Sequence, residues 1–173
     1  CGDKERVPLK KSKKASLSKR AAETLGPIAP MKVKSTSDPE ELLKKYDDEE
    51  LVVQQKFDGW KVQAIKDSKG AVKIYSRRGD SFEANVPELV KELEDTLDNG
   101  DFVLGELIFI KNGKQSIKDI QTIAGSTPQK AQEHLKNTKG ELILQAYDLL
   151  WNNNKDITKE PYIDRYNKLK KQV

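Results

Sequence analysis

Residues Phe102–Ile110, FVLGELIFI, limit the possible folds of this chain more than any other segment. Nine residues with a single charge, rich in aromatic and β-branched side chains, read as a buried strand. A carboxylate in so apolar a strand needs a partner. Glu106 is therefore either half of a structural ion pair or a member of a polar site, and the apolar setting favours the site.

Other segments supply the sheet and its cover. Residues 51–56 and 60–66 carry Val, Gln and alternating apolar positions, the pattern of two strands, with Asp58-Gly59 between them as a turn signal. Lys69-Gly70 turns the chain into a third strand at 71–77, Asn112-Gly113 reads as a hairpin turn, and 141–150 as a further strand. Val86, Leu89, Val90, Leu93 and Leu97 recur at helical spacing, which predicts an amphipathic helix over 87–97 packed on the sheet. Ser37-Asp38-Pro39-Glu40-Glu41 is a helix start, with a capping side chain, a first-turn proline and acids at the positive end; this helix should close near Tyr46. Thr127-Pro128 and Pro161 open two more helices, towards Lys136 and Lys171, and a short helix is expected near Ser16–Leu25. There is no internal repeat and no regular βαβ rhythm, so the expectation is an α+β domain with mainly antiparallel sheet and flanking helices.

The 173 residues fit one domain. No run of about 18 apolar residues exists to span a membrane, and no N-terminal apolar segment reads as a signal peptide. Cys1 is the sole cysteine and His134 the sole histidine, which excludes an internal disulfide and a Cys/His zinc site and makes a reducing, cytoplasmic setting the expectation. Charge is unevenly spread. Residues 1–30 hold eight bases against three acids, a net +5, which leaves −1 for the rest of a chain whose total is +4. Residues 1–29 are accordingly read as a basic arm, either a solvated linker or a segment that tracks the phosphates of a polyanion.

The chemistry centres on Lys56 in Lys56-Phe57-Asp58-Gly59-Trp60-Lys61. Alone, Lys-x-Asp-Gly fits a surface hairpin with a solvated lysine better than it fits a site. A lysine based on a strand that ends in a tight turn would instead hold its amine rigidly towards a cleft. Neighbouring cations or desolvation would lower its pKa and make it a nucleophile. Four features follow in order: Ser76-Arg77-Arg78-Gly79, Leu104-Gly105-Glu106-Leu107, Ala146-Tyr147-Asp148-Leu149-Leu150 and Pro161-Tyr162-Ile163-Asp164-Arg165-Tyr166.

With Lys56-x-Asp58-Gly59 and the preceding Pro30-Met31, this ordered set resembles the nucleotidyltransferase (adenylation) domain of ATP-dependent DNA ligases, over residues 30–173. Ile120–Ala131 resembles ligases of bacteriophage type. The resemblance implies an ATP-grasp-like nucleotidyltransferase fold, ATP and Mg²⁺ as cofactors, and nicked duplex DNA as the substrate to be sealed. It implies that Lys56 attacks the α-phosphate and carries AMP, and that Glu106 contacts the ribose or organises the metal. Tyr147 would stack on adenine, and Arg77 would contact the ribose or a phosphate of the nicked strand. Tyr147 also fits an ordinary core aromatic, and Arg165 fits a structural brace.

Two positions depart from the family pattern. Lys61 stands where an arginine is usual, a point charge without the bidentate fork. Gln54 stands where an acid often reads the adenine amino group, and its amide oxygen is able to accept the same hydrogen bond. After the Pro161 helix the family continues with a Glu-containing strand, a Lys-x-Lys strand and an oligonucleotide-binding (OB) domain, none of which is found before Val173. The chain is therefore expected to be an incomplete adenylation domain, weak or inactive alone, with a complementary ligase fragment as one possible partner. RNA ligases and capping guanylyltransferases share Lys-x-Asp-Gly, and a non-catalytic nucleic-acid-binding module is the remaining alternative. The ligase reading requires Lys56, Arg77, Glu106 and Tyr147 to meet in one cleft.

Overall fold

The computed structural model describes residues 26–29, 37–46 and 51–172. The helix expected at Ser16–Leu25 and the Pro30-Met31 pair lie outside these residues. The apolar run is strand β3, Phe102–Lys111, in the middle of an antiparallel sheet. β1 (Trp60–Lys66) lies on one side of it and β5 (Glu141–Asn152) on the other. β2 (Val72–Ser76) extends the sheet beyond β1, and β6 (Lys155–Asp156) beyond β5. The two-residue β4 (Lys114–Gln115) pairs with the end of β3. The hairpin expected at Asn112-Gly113 connects them, with both residues at positive φ (52° and 73°), the twist a two-residue loop needs. Asn153 and Asn154 do the same between β5 and β6.

Alternation sorts the two faces of the sheet. Val62, Ala64, Ile74, Val103, Leu107, Phe109 and Leu149 form the main core, and helices cover that face. α2 (Pro87–Thr96) contributes Leu89 and Leu93, α3 (Ile117–Gly125) Ile120, Ile123 and Ala124, and α4 (Pro128–Asn137) Ala131. Burial at about 25 cal/mol per Å² of apolar surface makes this the main stabilising term. Lys66 crosses to the helical layer and its Nζ donates to the carbonyls of Glu94 and Leu97, which are left without partners where α2 ends. The buried Asn85 does the same for α3, its Nδ2 donating to the carbonyls of Ile123 and Ser126.

The opposite face alternates with the first: Lys61, Gln63 and Ile65 on β1, then Leu104 and Glu106 on β3. Ile65, Tyr75, Phe102, Leu150 and Trp151 close one end of it in a smaller cluster. Gln63 is fully buried there, and its amide exchanges both hydrogen bonds with the backbone of Ile28, as a strand neighbour would. The packed part of the chain thus reaches back to Pro27 and Ile28, which the sequence reading assigned to the arm.

Most elements match the sequence reading; two findings differ from it. α1 (Pro39–Lys45) starts at Asp38, whose Oδ1 accepts from the backbone of Glu40 and Glu41. Residues 51–58, expected as a strand hairpinned to β1 through Asp58-Gly59, form no strand. Both edges of β1 are already taken, by β2 and by β3, so a further hairpin partner has nowhere to pair. The second difference is α3, which the sequence reading left unassigned. Ser116 caps it, its Oγ accepting from the Asp119 backbone.

Candidate active site

The polar face of the sheet opens into a cleft of about 1050 Å³, lined by Gln54, Lys56, Lys61, Arg77, Glu106 and Tyr147 among others. All six site residues read from the sequence are brought together there. Five parts of the architecture supply them, since Gln54 and Lys56 share the segment 51–58. Lys61 on β1 and Glu106 on β3 are directly opposite in the strand register, so their side chains emerge side by side. Gln145 on β5 is the next opposite neighbour of Glu106.

Tyr147 follows Gln145 by two residues on the cleft face, and β5 is irregular beside it. Gly105 pairs with Ala146 but Leu104 pairs with Asp148, so Tyr147 is an extra residue without a register partner. Such a bulge re-aims side chains. Lys61 Nζ lies 5.6 Å from the centre of the Tyr147 ring, a cation over an aromatic face. Arg77 sits just past the end of β2, in a turn pinned by Ser76, whose Oγ accepts from the backbone of Arg78 and Asp80 and donates to the Asp80 carboxylate. Arg78 does not line the cleft.

Lys56 lies on the irregular segment 51–58, which two hydrogen bonds tether, one to Tyr162 and one to Gln115. Gln54 Nε2 donates to the Tyr162 hydroxyl at 2.5 Å. The Asp58 backbone donates to Gln115 Oε1 at 3.4 Å. Gly59 is required for its size: a Cβ there would lie 2.4 Å from the Leu107 carbonyl oxygen and 2.8 Å from Ile108 Cγ2. Its φ is not positive, so it serves close approach and not the turn the sequence suggested.

Burial weakens ionisation on both sides of the cleft. It pushes the Glu106 carboxyl above its usual range, against the pull of the Gly59 N–H and of the Lys56 and Lys61 cations. It lowers Lys61, helped by Arg77 and opposed by Glu106 and Asp148. The Tyr147 phenol is pushed up to about 12 by burial and by the carboxylates of Glu106 and Asp148, so the ring stays neutral.

Helix α5 (Tyr162–Leu169) completes the wall with Ile163 and Tyr166, which the sequence reading did not single out. The signal was there, since Tyr162 and Tyr166 are four residues apart and so share a helix face. Their rings stack at 5.8 Å and 19°. Arg165, read as a brace, forks onto Asp148 with Nε and Nη2 at 2.9 and 3.0 Å from its two oxygens, while Nη1 donates to the Glu160 carbonyl. Among the described residues no group of three or more His, Cys, Asp or Glu stands ready to hold a metal ion, and no helix is long and apolar enough to cross a membrane.

Comparison with known proteins agrees with this arrangement. Residues 30–173 match the model of the ATP dependent DNA ligase domain. A DNA ligase of Sulfolobus acidocaldarius is 29% identical over 154 residues, covering 85% of this chain and 24% of the relative. One from Caldivirga maquilingensis is 28% identical over 142 residues, covering 80% and 23%. DNA ligase 3 of Schizosaccharomyces pombe is 24% identical over 141 residues, covering 80% and 18%. The chain thus spans about a quarter or less of the length of these relatives. In structure it resembles mycobacterial DNA ligase D complexed with ATP and MES, with a TM-score of 0.51 at 23% identity over 68% of this chain and 35% of that one. A mixed helix–strand architecture around a curled antiparallel sheet is therefore shared with that ligase, and the match over 30–173 places the chain in the ATP-dependent DNA ligase domain family.

Proposed function

We propose that this cleft binds ATP and transfers AMP to Lys56, as the first step of sealing nicks in duplex DNA. The observation that carries the proposal is the meeting of Lys56, Lys61, Arg77, Glu106 and Tyr147 around one cavity large enough for a nucleotide. The Lys56 amine, once deprotonated, attacks the α-phosphorus. An N–P bond forms, the bond from the α-phosphorus to the bridging oxygen breaks, and pyrophosphate leaves with that oxygen. Tyr147, held neutral, offers its ring to the base. Gln54 meets the base edge, and Lys61 and Arg77 meet the ribose or the phosphates.

Mg²⁺ is ordinarily held by one or two carboxylates together with substrate phosphates, so a lone cleft carboxylate fits it. Glu106 is the residue that would hold it, where the ion would screen the charge of the triphosphate. The cleft's three cations include the nucleophile itself, which leaves Lys61 and Arg77 to stabilise the transferring phosphoryl group. We therefore expect this chain alone to adenylylate slowly.

The test is incubation with α-labelled ATP and Mg²⁺, followed by mapping of the labelled peptide. Slow labelling at Lys56, lost in Lys56→Ala with ATP affinity retained, is the expected result. Label that persists in Lys56→Ala would refute the assignment, and fast labelling would refute the expectation that Lys61 and Arg77 alone support only slow transfer.

A further inference from the structure

The bond between Gln54 and Tyr162 fixes more than the position of a loop. A tyrosine hydroxyl has one proton to give. The Tyr162 hydroxyl gives it to the backbone carbonyl of Tyr147 at 2.8 Å, the residue bulged out of the β3–β5 register. Towards Gln54 that hydroxyl is left only to accept, so the amide nitrogen must face it. The amide oxygen is then turned the other way. Turning the amide over would set Oε1 against the hydroxyl oxygen, acceptor to acceptor, unless the hydroxyl gave up its bond to Tyr147.

An amide presents opposite chemistry at its two ends, an acceptor and a donor. We infer that Tyr162 is a specificity-determining positioning residue: by fixing the Gln54 amide it makes the cleft prefer a purine with an amino group at C6 over one with an oxo group. The inference rests on the proposed reading that Gln54 meets the base edge. A free amide would adapt to either purine at almost no cost. A fixed one greets the 6-amino donor with its oxygen and sets the same oxygen against a 6-oxo acceptor.

Equilibrium binding of ATP and ITP tests this in four proteins: the unaltered chain, Tyr162→Phe, Gln54→Glu and the double variant. ITP replaces the 6-amino group by an oxo group and adds nothing at C2. Tyr162→Phe removes only the hydroxyl and keeps the ring against Tyr166 and under the Arg165 guanidinium. The unaltered chain should prefer ATP, and Tyr162→Phe should erode that preference by about fivefold, the factor one net hydrogen bond contributes. A carboxylate accepts through both oxygens, so in the Gln54→Glu background the same change should move the preference by less than about twofold. An unchanged preference in Tyr162→Phe overturns the inference. Equal erosion in both backgrounds also overturns it, since Tyr162 would then be a structural support. A chain that binds neither nucleotide overturns the nucleotide reading of the cleft, and the inference with it.

Discussion

Replacing Gly59 by alanine tests whether the segment bearing Lys56 is positioned by close packing against β3. The added Cβ would sit 2.4 Å from the Leu107 carbonyl oxygen, 2.8 Å from Ile108 Cγ2 and 3.1 Å from Glu106 Cγ. The first contact is with strand backbone, which cannot swing aside as a side chain does. The start of β1 must therefore lift from β3. Overpacking of this kind costs about 1–3 kcal/mol. That is a fall of about 0.5–1.5 M in the urea midpoint at an ordinary m-value of about 2 kcal/mol/M. Two other glycines separate size from conformation. Gly125 has nothing within 4 Å of its would-be Cβ, so alanine there should stabilise α3 by about 0.5–1 kcal/mol. Gly113 is equally open but has φ 73°, so alanine there should cost about 1 kcal/mol from backbone strain alone. Urea unfolding and ATP binding report on all three. Only Gly59→Ala should lose ATP affinity as well as stability. If it behaves like Gly125→Ala in both assays, close approach to β3 does not position this segment.

Three further perturbations follow from particular contacts. Burial raises the Glu106 pKa in the folded state above its unfolded value, so its contribution to stability is present below about pH 4.3 and is lost as pH rises through the folded pKa. Glu106→Gln should flatten that fall, giving higher stability than the unaltered chain at neutral pH while nucleotide labelling is lost; identical stability–pH curves would contradict it. Asp148→Ala strips Arg165 of a bidentate partner that is 14% exposed on each side, so the loss should be about 2–4 kcal/mol, and a double-mutant cycle with Arg165→Ala should show strong non-additivity. Lys66→Met keeps the apolar stem but leaves the Glu94 and Leu97 carbonyls without their donor, which should cost about 2–4 kcal/mol and raise amide exchange in the last turn of α2.

The sequence made some of this legible and left other parts hidden, for physical reasons. β3, β5 and α2 were readable because burial imposes a local pattern: a nearly uncharged run, a second apolar run, and leucines at helical spacing. Residues 51–58 show what a local pattern leaves out. Val52, Val53 and Gln54 have strand composition, but a strand needs an open edge, and the pairing of β1 on both sides removes the one they would use. α3 was overlooked although Ser116 and Asp119 form an N-terminal cap and Ile120, Ile123 and Ala124 share a face. In the cleft, Glu106 was exposed by its own sequence context, a charge in an apolar strand. Lys61, Arg77, Gln54 and Tyr147 came from an ordered resemblance, since nothing local distinguishes them from surface or core residues. The contribution of α5 was hidden because Tyr162 acts through contacts to residues 15 and 108 positions away.

The bulge at Tyr147 explains why α5 and the cleft belong to one mechanical unit. In a regular strand, Tyr147 and Asp148 would point to opposite faces. Tyr147 follows Gln145 by two residues and shares its face, the face of Glu106. After the register shift Asp148 stands opposite Leu104, which shares that face too. Two consecutive residues therefore serve the same side, and each takes hold of α5 by a different group: Asp148 by its carboxylate on Arg165, Tyr147 by its carbonyl on the Tyr162 hydroxyl. Tyr162 in turn holds Gln54, two residues before Lys56. Any rotation of α5 must then pull on the strand that carries Tyr147 and on the segment that carries Lys56. A regular β5, made by deleting one residue at the bulge, would keep most of the apolar core yet turn either Tyr147 or Asp148 away, and so would uncouple nucleotide binding from a fold that still assembles.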